Sequence, residues 1–167
     1  PEAPPYQRMS MLIVPAGAQG LEIVRNVGWG AERAATHGYL NFDRVRVPAD
    51  AMLGKPGQAF VVAQVRLGGG RIHHAMRTIG EARKALDMMC ERVLSRVTQG
   101  ELLAKKQMVQ EKIADSYAAI RMLRLLVLET AWKIDNASTK EARTDIATVK
   151  FTMAKVLREV SFNALHI

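Results

Sequence analysis

The sequence is poor in aromatics and nearly free of cysteine. Phe, Trp and Tyr make up 5% of its 167 residues, thin material for the core of a β-sandwich. Nine methionines point instead to helix packing, since an unbranched thioether fills irregular gaps. The single cysteine, Cys90, excludes an internal disulfide and a cysteine-built zinc site, and it suits a reducing compartment. Its neighbours Met88, Met89 and Val93 predict a buried, inert thiol. No apolar run reaches the length of a membrane span. The opening PEAPPYQ has no charged stretch leading into an apolar one, so it does not read as a signal peptide. Proline rather than Met at position 1 points to a fragment or a processed start.

The usual chemical motifs are missing too. No G-x-S-x-G is present, and no G-K-[ST] follows Gly68-Gly69-Gly70, so those glycines read as a helix break rather than a phosphate loop. His73 and His74 would point about 100° apart on a helix, and no His or Glu at helical chelating spacing joins them, so no metal site is read. His37 and His166 stand alone. The carboxylates, Glu81, Glu91, Glu101, Glu111, Asp115, Glu129 and Asp135 among them, are scattered with no evident acid–base couple.

What is abundant is positive charge. The net charge is +8 and 49% of residues are hydrophobic: a chain with a real core and a preference for anionic partners. Lys105, Lys106, Lys112, Arg121 and Arg124 gather in one stretch. They fit a solvated cationic face, a phosphate-ligand site or a nucleic-acid face. Few aromatics interleave with them, which weighs against single-stranded nucleic acid.

The character of the chain changes near residue 56. Before it, Met9–Val14, Leu21–Val27 and Gly38–Val47 predict three short strands bounded by Gly and Pro, with a phase slip at Asp43. After it, the apolar period lengthens to that of helices. One helix is predicted from about Arg71 to Val97, with Ile72, Ala75, Ile79, Ala82, Leu86, Met89 and Val93 in line. A second runs from about Leu102 to Asn136 through Val109, Ile113, Tyr117, Ile120, Leu123, Val127, Ala131 and Ile134. A third runs from about Lys140 onward through Ala142, Ile146, Val149, Met153, Val156, Val160 and Ala164. The expected architecture is α+β: residues 1–56 form part of an antiparallel β domain, and residues 57–167 form the first part of an antiparallel long-helix bundle. In the turn Arg96–Gln107, Gly100 either caps a helix or opens the chain to a ligand.

Three stretches then become recognisable: FDRVRVPADAMLGKPGQAF from Phe42, GRIHHAMRTIGEARKAL from Gly70, and RVTQGELLAKKQMVQEKIAD from Arg96. With AKVLREVSFNALHI from Ala154, their order and spacing resemble the C-terminal half of the acyl-CoA dehydrogenase family. The likeness covers nearly the whole chain. GRIHH is most similar to the branch of large animal enzymes and their bacterial relatives.

The resemblance implies a fragment of an FAD-dependent enzyme that dehydrogenates acyl-CoA thioesters. It implies a homo-oligomer, a dimer or tetramer, and an electron-transfer acceptor. In the family an Arg of R-x-x-F-G and a Gln eleven residues later reach the FAD diphosphate held by a neighbouring subunit. Those positions are Arg96 and Gln107, with Thr98 between them. Gln99 replaces the family's Phe, and His166 stands where a cofactor-facing Gln is frequent. Arg71 matches an Arg near the substrate entrance, and pairing with a carboxylate at the helix start is its bland alternative. The family's base is expected past Ile167. One branch places it just before the Arg of the first long helix, where this chain has Gly70, which cannot serve. The stretch alone is therefore expected to be inactive. Its expected location is the cytoplasm, or the mitochondrial or peroxisomal matrix in a eukaryote. Rival readings are an oxidase or monooxygenase on the same scaffold, a DNA-associated relative, or a non-catalytic helical oligomerisation module.

Overall fold

The structure, a computed structural model, describes residues 3–28 and 37–167. Pro1 and Glu2, the start of the stretch assessed as a leader, lie outside them. Two compact units are present, Pro1–Gln64 and Val65–Ile167.

In the first unit, β1 (Leu21–Val27) pairs antiparallel with β2 (His37–Phe42), from Leu21 opposite Phe42 to Val27 opposite His37. The register shifts between Ile23 and Arg25, which marks a bulge. The Arg25 guanidinium lies over the Tyr39 ring, 5.4 Å from its centre. Two of the three predicted strands thus form, and the second stops at Phe42, where the alternation slips. The third does not. Met9–Val14 contributes one bridge, Leu12 to Met52, closed by Ile13 N–H to Ala51 O (2.9 Å) and Leu53 N–H to Met11 O (2.9 Å). An unbroken apolar run does not specify which face to bury, so it does not by itself specify a strand.

α1 runs from Ala59 to Ser95 without interruption. Its start is set by the Lys55–Gln58 turn, where the Gln58 side chain accepts the Lys55 N–H (3.1 Å). The predicted break at Gly68–Gly70 is absent. Three helical glycines cost about 3 kcal/mol against alanine. Breaking and restarting the helix would orphan up to about eight backbone groups, which costs more. Gly68 has a packing reason as well. It is buried, and a Cβ there would come within 2.7 Å of the Thr139 methyl.

α2 (Gln107–Asn136) and α3 (Arg143–His166) complete the second unit. α3 is preceded by Ser138-Thr-Lys-Glu141, whose Ser138 hydroxyl accepts the Glu141 N–H (3.2 Å) and bonds the Glu141 carboxylate (3.1 Å). α2 is roughly 45 Å long and α3 roughly 36 Å at 1.5 Å per residue. They are antiparallel. Lys112 near the start of α2 meets Asn163 near the end of α3, and Lys133 near the end of α2 meets Asp145 at the start of α3.

The core is the one the helical periodicity predicts. Ala75, Ile79, Ala82, Leu86 and Met89 of α1 pack with Ile120, Leu123 and Val127 of α2 and Val149, Val156 and Val160 of α3. Cys90 is only half-buried at its edge, because the buried line runs through Met89 and Val93. On α2 the line is also rotated. Tyr117 is 51% exposed while Ser116 is 1% exposed, and Thr130 replaces Ala131 among the fully buried side chains. Both polar groups are satisfied, Thr130 Oγ1 by Leu126 O (2.7 Å) and Ser116 Oγ by Asn163 Nδ2 (3.2 Å). An apolar pattern does not register such members.

Candidate cofactor-facing cleft

The predicted turn is a small β-hairpin between two helices. α1 closes with Ser95 Oγ donating to Glu91 O (2.9 Å) and Arg96 N–H donating to Arg92 O (3.0 Å). β3 (Val97–Thr98) then pairs with β4 (Glu101–Leu102), Val97 opposite Leu102 and Thr98 opposite Glu101. The two residues between them, Gln99 at φ 55° and Gly100 at φ 83°, are both left-handed. That is the type I′ turn, whose twist matches the flanking strands. Gly100 is therefore the second residue of a hairpin turn and not a helix cap.

Leu103 N–H returns to Arg96 O (2.9 Å), and a 3₁₀ turn at Leu103–Lys105 leads into α2. Lys106 pairs with Glu101 at 2.5 Å, and Gln110 Nε2 donates to Ala104 O (2.8 Å). These bonds bring Leu103, four residues before α2, back against Arg96, the residue before β3.

Two clefts open here. The larger, about 820 Å³, is lined by Arg92, Arg96, Thr98 and His166 among apolar walls from Met88, Met89 and Leu103. The smaller, about 550 Å³, is lined by Thr98, Gln107, Met108, Lys112 and His166. Thr98 and His166 border both. His166 Nδ1 lies 2.8 Å from Phe162 O, so it carries the proton and Nε2 remains to meet a ligand. Four of the five residues expected at a site thus border one or both of these adjoining clefts, Arg96 the larger and Gln107 the smaller. Arg71 does not. It lies half-buried on α1, roughly 37 Å along the helix axis from Arg96.

The donor set suits a diphosphate. Among the described residues the Arg96 guanidinium, Thr98 hydroxyl and Gln107 amide make no side-chain hydrogen bond, so all are available. The start of α2 has no side-chain cap and no acid in its first turn, and this positive helix end favours an anion. Arg92 adds charge, while Glu91 in the larger cleft opposes it.

Sequence reasoning had placed Lys112 in a general cationic cluster. The structure divides that cluster. Lys106 and Lys112 line the smaller cleft, whereas Arg121 and Arg124 line a separate groove of about 530 Å³ with Arg83 and Tyr117. No local spacing singled out Lys112, whose contact with Asn163 comes from α3. His73 and His74 are exposed, with ring centres 5.7 Å apart.

Long antiparallel helices with a cleft bordered by Arg92 and Arg96 where α1, α2 and α3 meet make a helical domain whose site suits an anionic ligand. Residues 57–167 match the C-terminal domain of acyl-CoA dehydrogenases. The whole chain is 41% identical to a probable acyl-CoA dehydrogenase, FadE2, of Mycobacterium tuberculosis, and 99% of it is 40% identical to acyl-CoA dehydrogenase family member 10 of Mus musculus. It spans 41% of the first relative's length and 16% of the second's. A solved structure of a putative acyl-CoA dehydrogenase from Mycobacterium abscessus superposes with a TM-score of 0.88 at 38% identity, over 99% of this chain and 41% of that one. The chain belongs to the acyl-CoA dehydrogenase family. Among the described residues no helix is long and apolar enough to cross a membrane.

Proposed function

We propose that this chain supplies the cofactor-facing helical part of an FAD-dependent acyl-CoA dehydrogenase. The observation that carries the reading is the cleft lined by Arg96, Thr98 and His166, which shares Thr98 and His166 as walls with the cleft lined by Gln107. When bound, the flavin would accept the β-hydrogen of an acyl-CoA thioester as hydride while a carboxylate removes the α-proton.

The residues of this chain bind and orient. Arg96 offers a planar fork of N–H donors to diphosphate oxygens. Thr98 and Gln107 add a hydroxyl and an amide, while His166, whose Nδ1–H goes to Phe162 O, presents Nε2 as an acceptor for a ligand N–H or O–H. The hairpin and the turn after it fix the backbone from which Arg96, Thr98 and Gln107 project. No carboxylate of this chain is assigned to proton removal, and Gly70 offers none at the alternative position. Arg71, in the first half of α1, is assigned to the substrate mouth. In this reading the working protein is a homo-oligomer, a dimer or tetramer, that shares its cofactor sites between subunits. It passes electrons to a separate acceptor and works in a reducing compartment.

The test is Arg96→Ala in the purified protein, with FAD affinity read by titration of flavin fluorescence. Loss of the guanidinium should weaken binding by about tenfold to a hundredfold. Undiminished affinity would remove the reading.

A further inference from the structure

We propose that Lys112 is a further binding residue of the smaller cleft, a preset positive charge for a phosphate group, with Asn163 and Ser116 as its positioning residues. The inference rests on the cofactor reading above. Lys112 is half-buried and lines the same cleft as Thr98, Gln107 and His166. Its Nζ donates to Asn163 Oδ1 (3.4 Å), and Asn163 Nδ2 donates to Ser116 Oγ (3.2 Å). Asn163 is 9% exposed and Ser116 is 1% exposed. A buried amide needs its partners. With Nδ2 taken by Ser116, the acceptor oxygen is the atom presented to Lys112. The Phe162 ring, 6.0 Å from Nζ, borders the same ammonium.

All of these supports are neutral. Glu111 and Asp115 flank Lys112 in sequence, yet among the described residues neither pairs with it. Lys106, in the same cleft, is neutralised by Glu101 at 2.5 Å. The charge of Lys112 is thus aimed but uncompensated. An ammonium has three donors, Asn163 takes one, and two remain for anion oxygens.

The test is calorimetric titration of the purified protein with ADP, and with adenosine as its uncharged counterpart. Lys112→Met should weaken ADP binding about tenfold, leave adenosine binding unchanged and flatten the salt dependence. Lys112→Arg should restore most of the affinity. Asn163→Asp, near in shape, should neutralise Lys112 and weaken ADP without lysine being touched. Melting curves establish that each variant is folded. If Arg96→Ala weakens ADP binding and neither Lys112→Met nor Asn163→Asp does, the Lys112 assignment falls alone. If the unaltered protein does not bind ADP, or Arg96→Ala has no effect, the cofactor reading falls and takes this inference with it.

Discussion

Replacing Gly69 with alanine separates a continuous α1 from a broken one. Gly69 is exposed, and a Cβ built there meets nothing within 4 Å. Inside a helix the exchange should therefore return the full propensity difference, about 0.8–1 kcal/mol. For a unit of roughly a hundred residues, 1 kcal/mol corresponds to about 4–5 °C in melting temperature. Gly68 is the internal contrast. Its added methyl would sit 2.7 Å from Thr139 Cγ2, so the propensity gain is spent on displacing that side chain. Gly68→Ala should give a smaller rise or a fall, and combining it with Thr139→Ser, which removes the methyl, should recover the gain. Differential scanning calorimetry of the three variants and the parent decides the matter. A melting temperature lowered by Gly69→Ala would show that the glycines serve a non-helical conformation, and the continuous-helix account would be wrong.

Two other predictions follow from packing and charge. Leu123, 1% exposed in the three-helix core, should cost about 2–5 kcal/mol on truncation to alanine, measured by urea denaturation; a cost under about 1 kcal/mol would mean the core is looser than described. Lys133 has its pKa raised above 10.5 by hydrogen bonds to Glu129 and then Asp145. Its contribution is therefore complete below pH 10.5 and is lost as pH rises through the higher folded-state value. Lys133→Met should melt with a shallower decline above that pH, and identical alkaline profiles would refute the linkage.

The helices were legible because their apolar steps of three and four needed only local spacing. Ile120, Leu123 and Val127 fell on the buried line as expected. Tyr117 did not, since its large ring satisfied the pattern while Ser116, held by Asn163 47 residues away, took the interior place. Propensity also misjudged Gly68–Gly70. It counts each glycine alone and omits both the orphaned groups of a break and the contact with Thr139. At the cleft, Arg96, Thr98 and Gln107 were singled out by the family resemblance of their stretch, and the structure puts them on the walls of two adjoining clefts. Lys112 was not singled out, because its support comes from α3. Nothing in the structure explains Gly70, which meets no neighbour.

The two-residue turn at Gln99-Gly100 makes the connection between α1 and α2 a ruler. Substitutions along it change which donors are offered, but an added or lost residue changes where they are. One extra residue in β3 or β4 would turn the strand's faces over. One extra residue after β4 would swing Gln107 by about 100° around α2 unless the 3₁₀ turn absorbed it. Such a linker can vary in chemistry far more freely than in length. The eleven-residue interval from Arg96 to Gln107 is thus itself a structural quantity, set by the hairpin as firmly as a bond angle sets a side chain.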